Sequence, residues 1–525
     1  MAVVASSTTA GHPREAHSLS RPEVDAHLRV DQLTSDIRRQ SLRGGAIAFG
    51  AQGLKFALQF GTVVVLARLL APEAFGLIAM AAALNGVLDL VKEFGLSAAT
   101  IQKSDITHSQ VSALFWINAA IGVAIAILLL LGAPAIAEFY GQPELLAVTR
   151  WLALPFLLSG LTTQHWALLR RQMRFGAIAL LETGTEILGF ALVIGLALGG
   201  AGYWALIAQR MLGPALLLVG CWSLCGWRPG WPTRAPGLAA LVGFGSAVTS
   251  CNLAVAFARS IDQILIGWLW GPAVLGLYER SVKLLLMPIT NIAMPLYAVG
   301  MPMLSRLNDE PRRYRAAFIR LIEHLAMATM PAGALVVVAS DWLVVTLFGD
   351  QWRAATPLVA FFGLAVSYQP VTMALGLVFM TQNRGRDLLH AALIDSVLAV
   401  ILIVAGLPFG VVGVAGFYSV GGLVLRAPLY TWFATRHSGI VPRDVYQAVL
   451  PSAGAALIVA GVAWGVRHIP GIDTLVCAER LAIALVASGL GATVIYGALP
   501  RSRRALVTLA GIPRSLHAPR PSTRS

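Results

Sequence analysis

The chain has 525 residues, 57% of them hydrophobic and 12% charged, with a mean hydropathy of +0.73. An ordinary soluble globule carries about twice that share of charge, so that class is excluded. The net charge of +14 is dispersed between apolar runs rather than gathered into one patch, and a nucleic-acid partner is not expected.

In chain order, residues 1–42, with SSTTAGHPREAHSLSRPEVDAH, hold acids, histidines and prolines but no apolar core. A secretory signal peptide needs a charged start followed at once by an apolar stretch. This segment is therefore expected to be a disordered cytoplasmic tail, closing in a short surface helix near 30–42. Runs close to the roughly 20 residues of a bilayer span then recur as far as Leu499. They predict fourteen helices, at about 44–67, 75–97, 111–131, 146–166, 178–198, 203–223, 238–269, 274–300, 316–338, 355–380, 388–407, 411–433, 446–466 and 479–499. Residues 500–525, with six arginines between Arg501 and Arg524, form a second basic tail.

Basic residues follow the even spans: Arg170, Arg171 and Arg174, then Arg228 and Arg234, then Arg306, Arg312, Arg313 and Arg315, then Arg384 and Arg386, then Arg436 and Arg443. The odd connections LGGAG, WGPAV and LPFGVVG carry no charge, and GAPAIAEFYGQPE carries two acids. This alternation is the positive-inside pattern, and it predicts cytoplasmic termini and contact with anionic lipid headgroups. The four cysteines, Cys221, Cys225, Cys251 and Cys477, lack metal or disulfide spacing and read as reduced, buried thiols.

The chain repeats itself. LLAPEAFGL (Leu69–Leu77) matches LWGPAVLGL (Leu269–Leu277), so that Pro72 and Gly76 recur as Pro272 and Gly276, 200 positions on. FYG at Phe139 matches LFG at Leu347, RQMR at Arg171 matches TQNR at Thr381, and Gly199 with Gly202 matches Gly410 with Gly413. The offset drifts through 208 and 210 to 211, as insertions in loops produce. The fold expected is an all-α polytopic membrane protein of about 14 transmembrane helices. Two six-helix lobes, 43–226 and 227–436, are related by a parallel repeat of the kind transporters use, and 437–499 adds two C-terminal helices.

Span one carries Gln52, Lys55, Gln59 and Thr62 at helical spacing on one face, and span seven carries Asn252, Arg259 and Asp262 at matching positions. An ionisable group at the centre of a span costs about 2.5 to 3.5 kcal/mol on insertion scales, so such stripes are expected to face a cavity between the lobes. Some charges have local partners instead: Arg259 with Asp262, Glu279 with Lys283, and Asp89 with Lys92 and Glu93. Lys55 has no acid within four residues, and Glu182, Glu186 and Asp395 are also locally unpaired. The three carboxylates read more readily as bonded across helices than as ion-coupling groups. In-span Pro155, Pro214, Pro288, Pro295, Pro331 and Pro370 are expected to kink helices.

DQILIGWLWGPAVLGLYERSVKL, with LARLLAPEAFGLIAMAAALNGVLDLVKEFGLSAATIQK in the first half, resembles the bacterial polysaccharide transporter family. These are the oligosaccharide flippases of capsule, O-antigen and exopolysaccharide export, and the chain resembles in particular the colanic- and teichuronic-acid exporter branch. The resemblance runs from about Arg43 to Leu499 and centres on the pattern from Asp262 to Tyr278. It implies the fold of multidrug exporters and lipid II flippases. It also implies a substrate, an undecaprenyl-pyrophosphate-linked oligosaccharide carried across the bacterial inner membrane, with membrane lipids and a polysaccharide polymerase as further partners.

Carried onto this sequence, the resemblance gives Lys55, Arg259, Arg280 and Lys283, with Gln52, Gln59 and Asn252, to the pyrophosphate and sugar. Asp262, Glu279 or Asp395 would take a coupling ion, with a proton or sodium gradient in place of any bound cofactor. A multidrug efflux antiporter of the same fold is the alternative; it would favour an acidic cavity. An enzyme is not expected, because HExxH, GxSxG, a glycine-rich phosphate loop and metal-spaced Cys/His clusters are all missing from the sequence.

Overall fold

The computed structural model describes residues 37–93, 97, 100, 101, 106–231 and 238–498. The side chains of 37–49, 51, 84, 87, 89–93, 238–259, 292–296, 298 and 299 lie outside the described set. The expected terminal tails therefore fall outside it almost wholly, as do the side chains of Asp89, Lys92, Glu93, Asn252, Arg259 and Cys251.

The described chain is helical between short connections, with no strand among the described residues. Among the described residues the fourteen long helices are α1 (Ile37–Leu69), α2 (Pro72–Glu93), α3 (His108–Tyr140), α4 (Glu144–Arg171), α5 (Phe175–Leu198), α6 (Tyr203–Cys225), α7 (238–270), α8 (272–306), α9 (Pro311–Val338), α10 (Thr356–Thr381), α11 (Gly385–Gly406), α12 (410–435), α13 (Pro442–Arg467) and α14 (Cys477–Ala498). Among the described residues, ten helical stretches are long and apolar enough to cross a membrane, one of them the joined pair α11–α12. The helices α7 and α8 run on from one another except at Gly271, whose φ of 79° and ψ of −177° break the rod. Only glycine takes that conformation cheaply, and the WGPAV connection was expected at this point.

Two expected external loops are mostly helix. The segment 132–140 continues α3 through Pro134 and ends at Gly141 in the left-handed region. The segment 340–355 is a short helix, Ser340–Phe348, followed by a 3₁₀ turn, Asp350–Ala355. Hydropathy falls at Gly132, Glu138 and Asp350, but helix formation tolerates all three where neighbouring helices pack.

Within the first lobe α1 packs on α5, α3 on α4, and α6 on both α4 and α5; within the second, α9 packs on α10 and α11 on α12. The pair α13–α14 joins through α9 and the short helix at 340–348. The most extensive contact in the protein crosses between lobes, from α2 to α7–α8. We call the end of the bundle that bears the basic connections the tail face, and the other the opposite face.

The repeat is visible in backbone detail. Met173 and Asn383, 210 positions apart, both hold positive φ, 52° and 55°, a conformation that costs a non-glycine residue about 1–2 kcal/mol. Each is followed by an arginine that reaches the end of the helix after next: Arg174 Nη1 donates to Leu224 O of α6 at 2.6 Å, and Arg384 Nη1 to Ala434 O of α12 at 2.8 Å. The expected match of Gly199 with Gly410 is not conformational, since their φ values are −73° and +74°. The entry to α12 is displaced by its own 3₁₀ turn, Leu407–Phe409.

Cys221 and Cys225 are buried free thiols, and Cys477 is free and half-buried.

On the opposite face, Arg467 clamps Asp341 with two hydrogen bonds of 2.7 Å and also donates to Val338 O, tying α13 to the end of α9. Burial pulls the Asp341 carboxyl upward, but the hydrogen bonds and charge of Arg467 outweigh it and hold the group below the ordinary carboxylate value. A depressed folded-state value means stabilisation that is present above the unfolded value of about 4 and lost as pH falls through the folded value. Thermal unfolding of the purified protein should therefore show Asp341→Asn less stable than the parent at pH 7, with the difference closing as the pH drops below about 4.

Candidate functional site

The polar stripe of α1 meets partners on both lobes. Lys55 Nζ lies 3.2 Å from Glu182 Oε2, and Gln59 Nε2 donates to Glu186 Oε1 at 2.7 Å. Two residues four apart on α1 thus read two residues four apart on α5, a ladder across helices that run in the same direction. Gln52 Nε2 donates to Asn291 Oδ1 of the second lobe at 3.1 Å, and the Thr62 hydroxyl donates to its own helix at Leu58 O. At 1.5 Å per residue, Lys55 sits about 21 Å and Gln59 about 15 Å from the opposite-face end of α1, near the middle of a bilayer. Side-chain exposure of 26% for Lys55 and 34% for Glu182 makes this an ion pair that is reachable rather than sealed.

Across from it, α8 carries Glu279, Arg280 and Lys283. Glu279 lies 3.1 Å from Arg280 Nε and 4.0 Å from Lys283 Nζ. The charges of Arg210 on α6 and Glu186 on α5 both act on Lys283, so two lobes converge here. Lys283 is surrounded by protein on the scale of the whole bundle, yet 45% of its side chain is exposed. A group deep inside and still open must line an internal space. Among the described residues, four cations (Lys55, Arg210, Arg280 and Lys283) thus stand with three carboxylates (Glu182, Glu186 and Glu279), so these groups carry a basic excess.

Not every expected residue reaches the opening. Arg280, expected to face a ligand, is 8% exposed with its guanidinium 3.9 Å over the Phe75 ring; packing against the first lobe holds it away from the opening. Asp262 accepts from Tyr278 Oη at 2.8 Å and from the Gln263 backbone N–H at 2.8 Å. The two ends of the Asp262–Tyr278 pattern therefore meet, tying α7 to α8. Asp395 is held by Arg426 through bonds of 2.8 and 2.7 Å beside a crevice lined by Ile394, Leu398, Leu429 and Phe433. Arg426 ends a π-helical turn, Gly422–Arg426, that interrupts α12 and lies 4.9 Å over Tyr418.

Sequence reasoning missed Arg210 and Arg426. Both are lone cations inside apolar spans with no acid within four residues, the criterion that selected Lys55. Asp395, Glu182 and Glu186 find partners 31 to 127 positions away, beyond the reach of local spacing. Chemically, the seam offers ammonium and guanidinium donors, whose charge-assisted hydrogen bonds to an anion are about twice as strong as neutral ones. Among the described residues no group of three His, Cys, Asp or Glu side chains is placed to hold a metal ion.

Comparison with known proteins agrees with this architecture. Residues 65–357 match the family described as "Polysaccharide biosynthesis protein". The chain is 29% identical to the teichuronic acid biosynthesis protein TuaB of Bacillus subtilis over 51% of its own length and 56% of that protein's. It therefore spans little more than half of that relative. It is 22% identical to the lipopolysaccharide biosynthesis protein WzxC of Escherichia coli, over 66% of this chain and 71% of that one. It is 27% identical to the succinoglycan biosynthesis transport protein ExoT of Rhizobium meliloti, over 59% and 63%.

In fold it is similar to the lipid II flippase MurJ in an inward closed conformation, with a TM-score of 0.69, 13% identity, and coverage of 88% of this chain and 99% of that one. An inward-facing multidrug resistance MATE transporter follows at 0.53, with 16% identity and coverage of 75% and 96%. Two repeated lobes of six helices with a further pair, and a family match across more than half of the sequence, place this multi-pass membrane protein in the polysaccharide biosynthesis protein family.

Proposed function

We propose that the chain is a flippase that moves an undecaprenyl-pyrophosphate-linked oligosaccharide repeat unit across the bacterial inner membrane, for exopolysaccharide, capsule or O-antigen assembly. The observation that carries this reading is Lys283, deep between the lobes yet open, with Lys55 and Arg210 around the same seam. A diphosphate presents several acceptor oxygens, and such cations meet it with charge-assisted hydrogen bonds. The names of WzxC and ExoT and the fold shared with MurJ support the same substrate class.

The basic connections make the tail face cytoplasmic, so the substrate enters from there and leaves at the opposite, periplasmic face. Alternating access then consists of the two lobes rocking about the seam. Within it Glu279 occupies Lys283, and an arriving diphosphate competes for that donor. Of the three carboxylates considered for ion coupling, Glu279 is the one embedded in the seam; Asp262 is tied to Tyr278 and Asp395 to Arg426. Export is thus driven by an ion gradient with no resident cofactor, and the chain carries cargo rather than catalysing a reaction. A polymerase acting on the periplasmic side would take the product.

The MATE likeness keeps multidrug efflux as the rival, and the basic excess argues against it, because cationic drugs would be repelled.

In a strain lacking this protein, lipid-linked repeat units should accumulate in the inner leaflet. Lys283→Ala or Lys55→Ala should lower rescue of export about tenfold or more, since a hydrogen bond to a charged group contributes about 1.5–3 kcal/mol and 1.4 kcal/mol is tenfold. Dye efflux should be unchanged. Intact export with lost drug resistance would favour the rival.

The ladder gives a separate test. Lys55→Gln and Glu182→Gln should each destabilise the purified protein by up to about 1 kcal/mol, as exposed ion pairs do. The double variant should cost less than the sum, read as non-additive melting temperatures.

A further inference from the structure

The matched segments that revealed the repeat also touch each other. A Cβ placed on Gly76 would lie 1.7 Å from Pro272 O, and one placed on Gly276 would lie 1.9 Å from Pro72 O. The contact is reciprocal: the first turn of α2 crosses the first turn of α8, and each glycine lays its Cα–H against the other's proline carbonyl. Such Cα–H···O contacts recur where small residues let helices approach closely.

Neighbouring contacts close the same end in the same two-fold manner. Trp352 Nε1 donates to Ala67 O at 2.6 Å, and Arg68 donates to Thr346 O and Leu347 O. In the other half, Trp268, which corresponds to Arg68, stacks on Phe139, which corresponds to Leu347, with ring centroids 5.9 Å apart. Next to Gly76, the Phe75 ring lies between Trp352 at 5.5 Å and the guanidinium of Arg280 at 3.9 Å. Gly276 and Arg280 are one turn apart on one face of α8, so α8 both touches and grips α2.

We propose that the paired crossing of Gly76 on Pro272 and Gly276 on Pro72 is the gate of the opposite face, and that Arg280 is a positioning residue which holds it shut through Phe75. The meaning of the gate rests on the flippase reading, but its mechanics do not. Both contacts are backbone on backbone, so no rotamer can relieve a methyl group there. Reaching the 3.0 Å below which real Cβ atoms are essentially never found requires 1.3 Å of separation at Gly76 and 1.1 Å at Gly276. Packed interfaces of this kind respond by switching state rather than deforming smoothly. Because Arg280 also contacts Glu279, an anion that draws Arg280 into the seam would release Phe75 and loosen the gate.

The test uses the full chain with its four cysteines replaced and new ones at Ala71 and Asp350, exposed positions flanking the bond from Gln351 to Leu70 O. A short bismaleimide should join them efficiently in the parent. Gly76→Ala with Gly276→Ala should lower the yield at least about fivefold, and Arg280→Gln should lower it less. Gly195→Ala, with nothing within 4 Å of its added methyl, should leave it unchanged. If the double glycine variant does not fold, Gly276→Ala alone and Arg280→Gln decide the matter by the same yield. Equal yields in every folded variant would overturn the gate. A yield that falls in those variants, in a protein whose deletion leaves polysaccharide export intact, would sustain the gate and sink the flippase reading instead.

Discussion

Two glycines without side chains set how closely the halves of this protein approach. Because Gly76 and Gly276 each rest on the other half's proline carbonyl, α2 and α8 cross at backbone contact, which brings Phe75, Arg280 and Trp352 within reach of one another. The lobes are thereby dry and tight at one end. Further along the same helices the side chains grow longer and charged, and the interface turns into the seam around Lys283. The taper from glycine to lysine along α8 converts a sealed end into an open middle within about two turns.

Desolvation explains why the charges collect there. A lone charge facing acyl chains is costly, whereas one facing its partner or water is tolerated. Several mid-membrane charges with described side chains obey this: Lys55 has Glu182, Arg426 has Asp395, and Glu279 has Arg280 and Lys283. The pairs differ in role. Asp395–Arg426 is bidentate and joins adjacent helices of one lobe, whereas the charges of the seam come from both lobes and include Lys283, whose side chain is 45% exposed. That difference, more than the charge itself, separates structural ion pairs from groups able to meet a ligand.

Much of the fold was legible in the sequence, for particular reasons. A bilayer span demands an apolar run of fixed length, so the helices announced themselves, and the break at Gly271 showed because glycine alone accepts its backbone geometry. The repeat was visible at Pro72 and Gly76 because close backbone approach leaves no freedom to substitute. The pairing of charges was not legible: Lys55 and Glu182 are 127 positions apart, and only the packing of α1 on α5 brings them together. Arg280 looked like a ligand-facing cation, since sequence does not show an aromatic ring from the other half waiting above it. Arg210 went unremarked, although it met the test applied to Lys55.

The central claim is that water reaches the seam at the level of Lys283. The direct measurement is labelling of Lys283→Cys, in a background without native cysteines, by a membrane-impermeant charged maleimide, with Leu457→Cys on the exposed surface of α13 as the acyl-facing comparison. The account predicts rapid labelling at 283 and little at 457. Labelling of 283 as slow as that of 457, with both reacting only with lipid-soluble reagents, would contradict it.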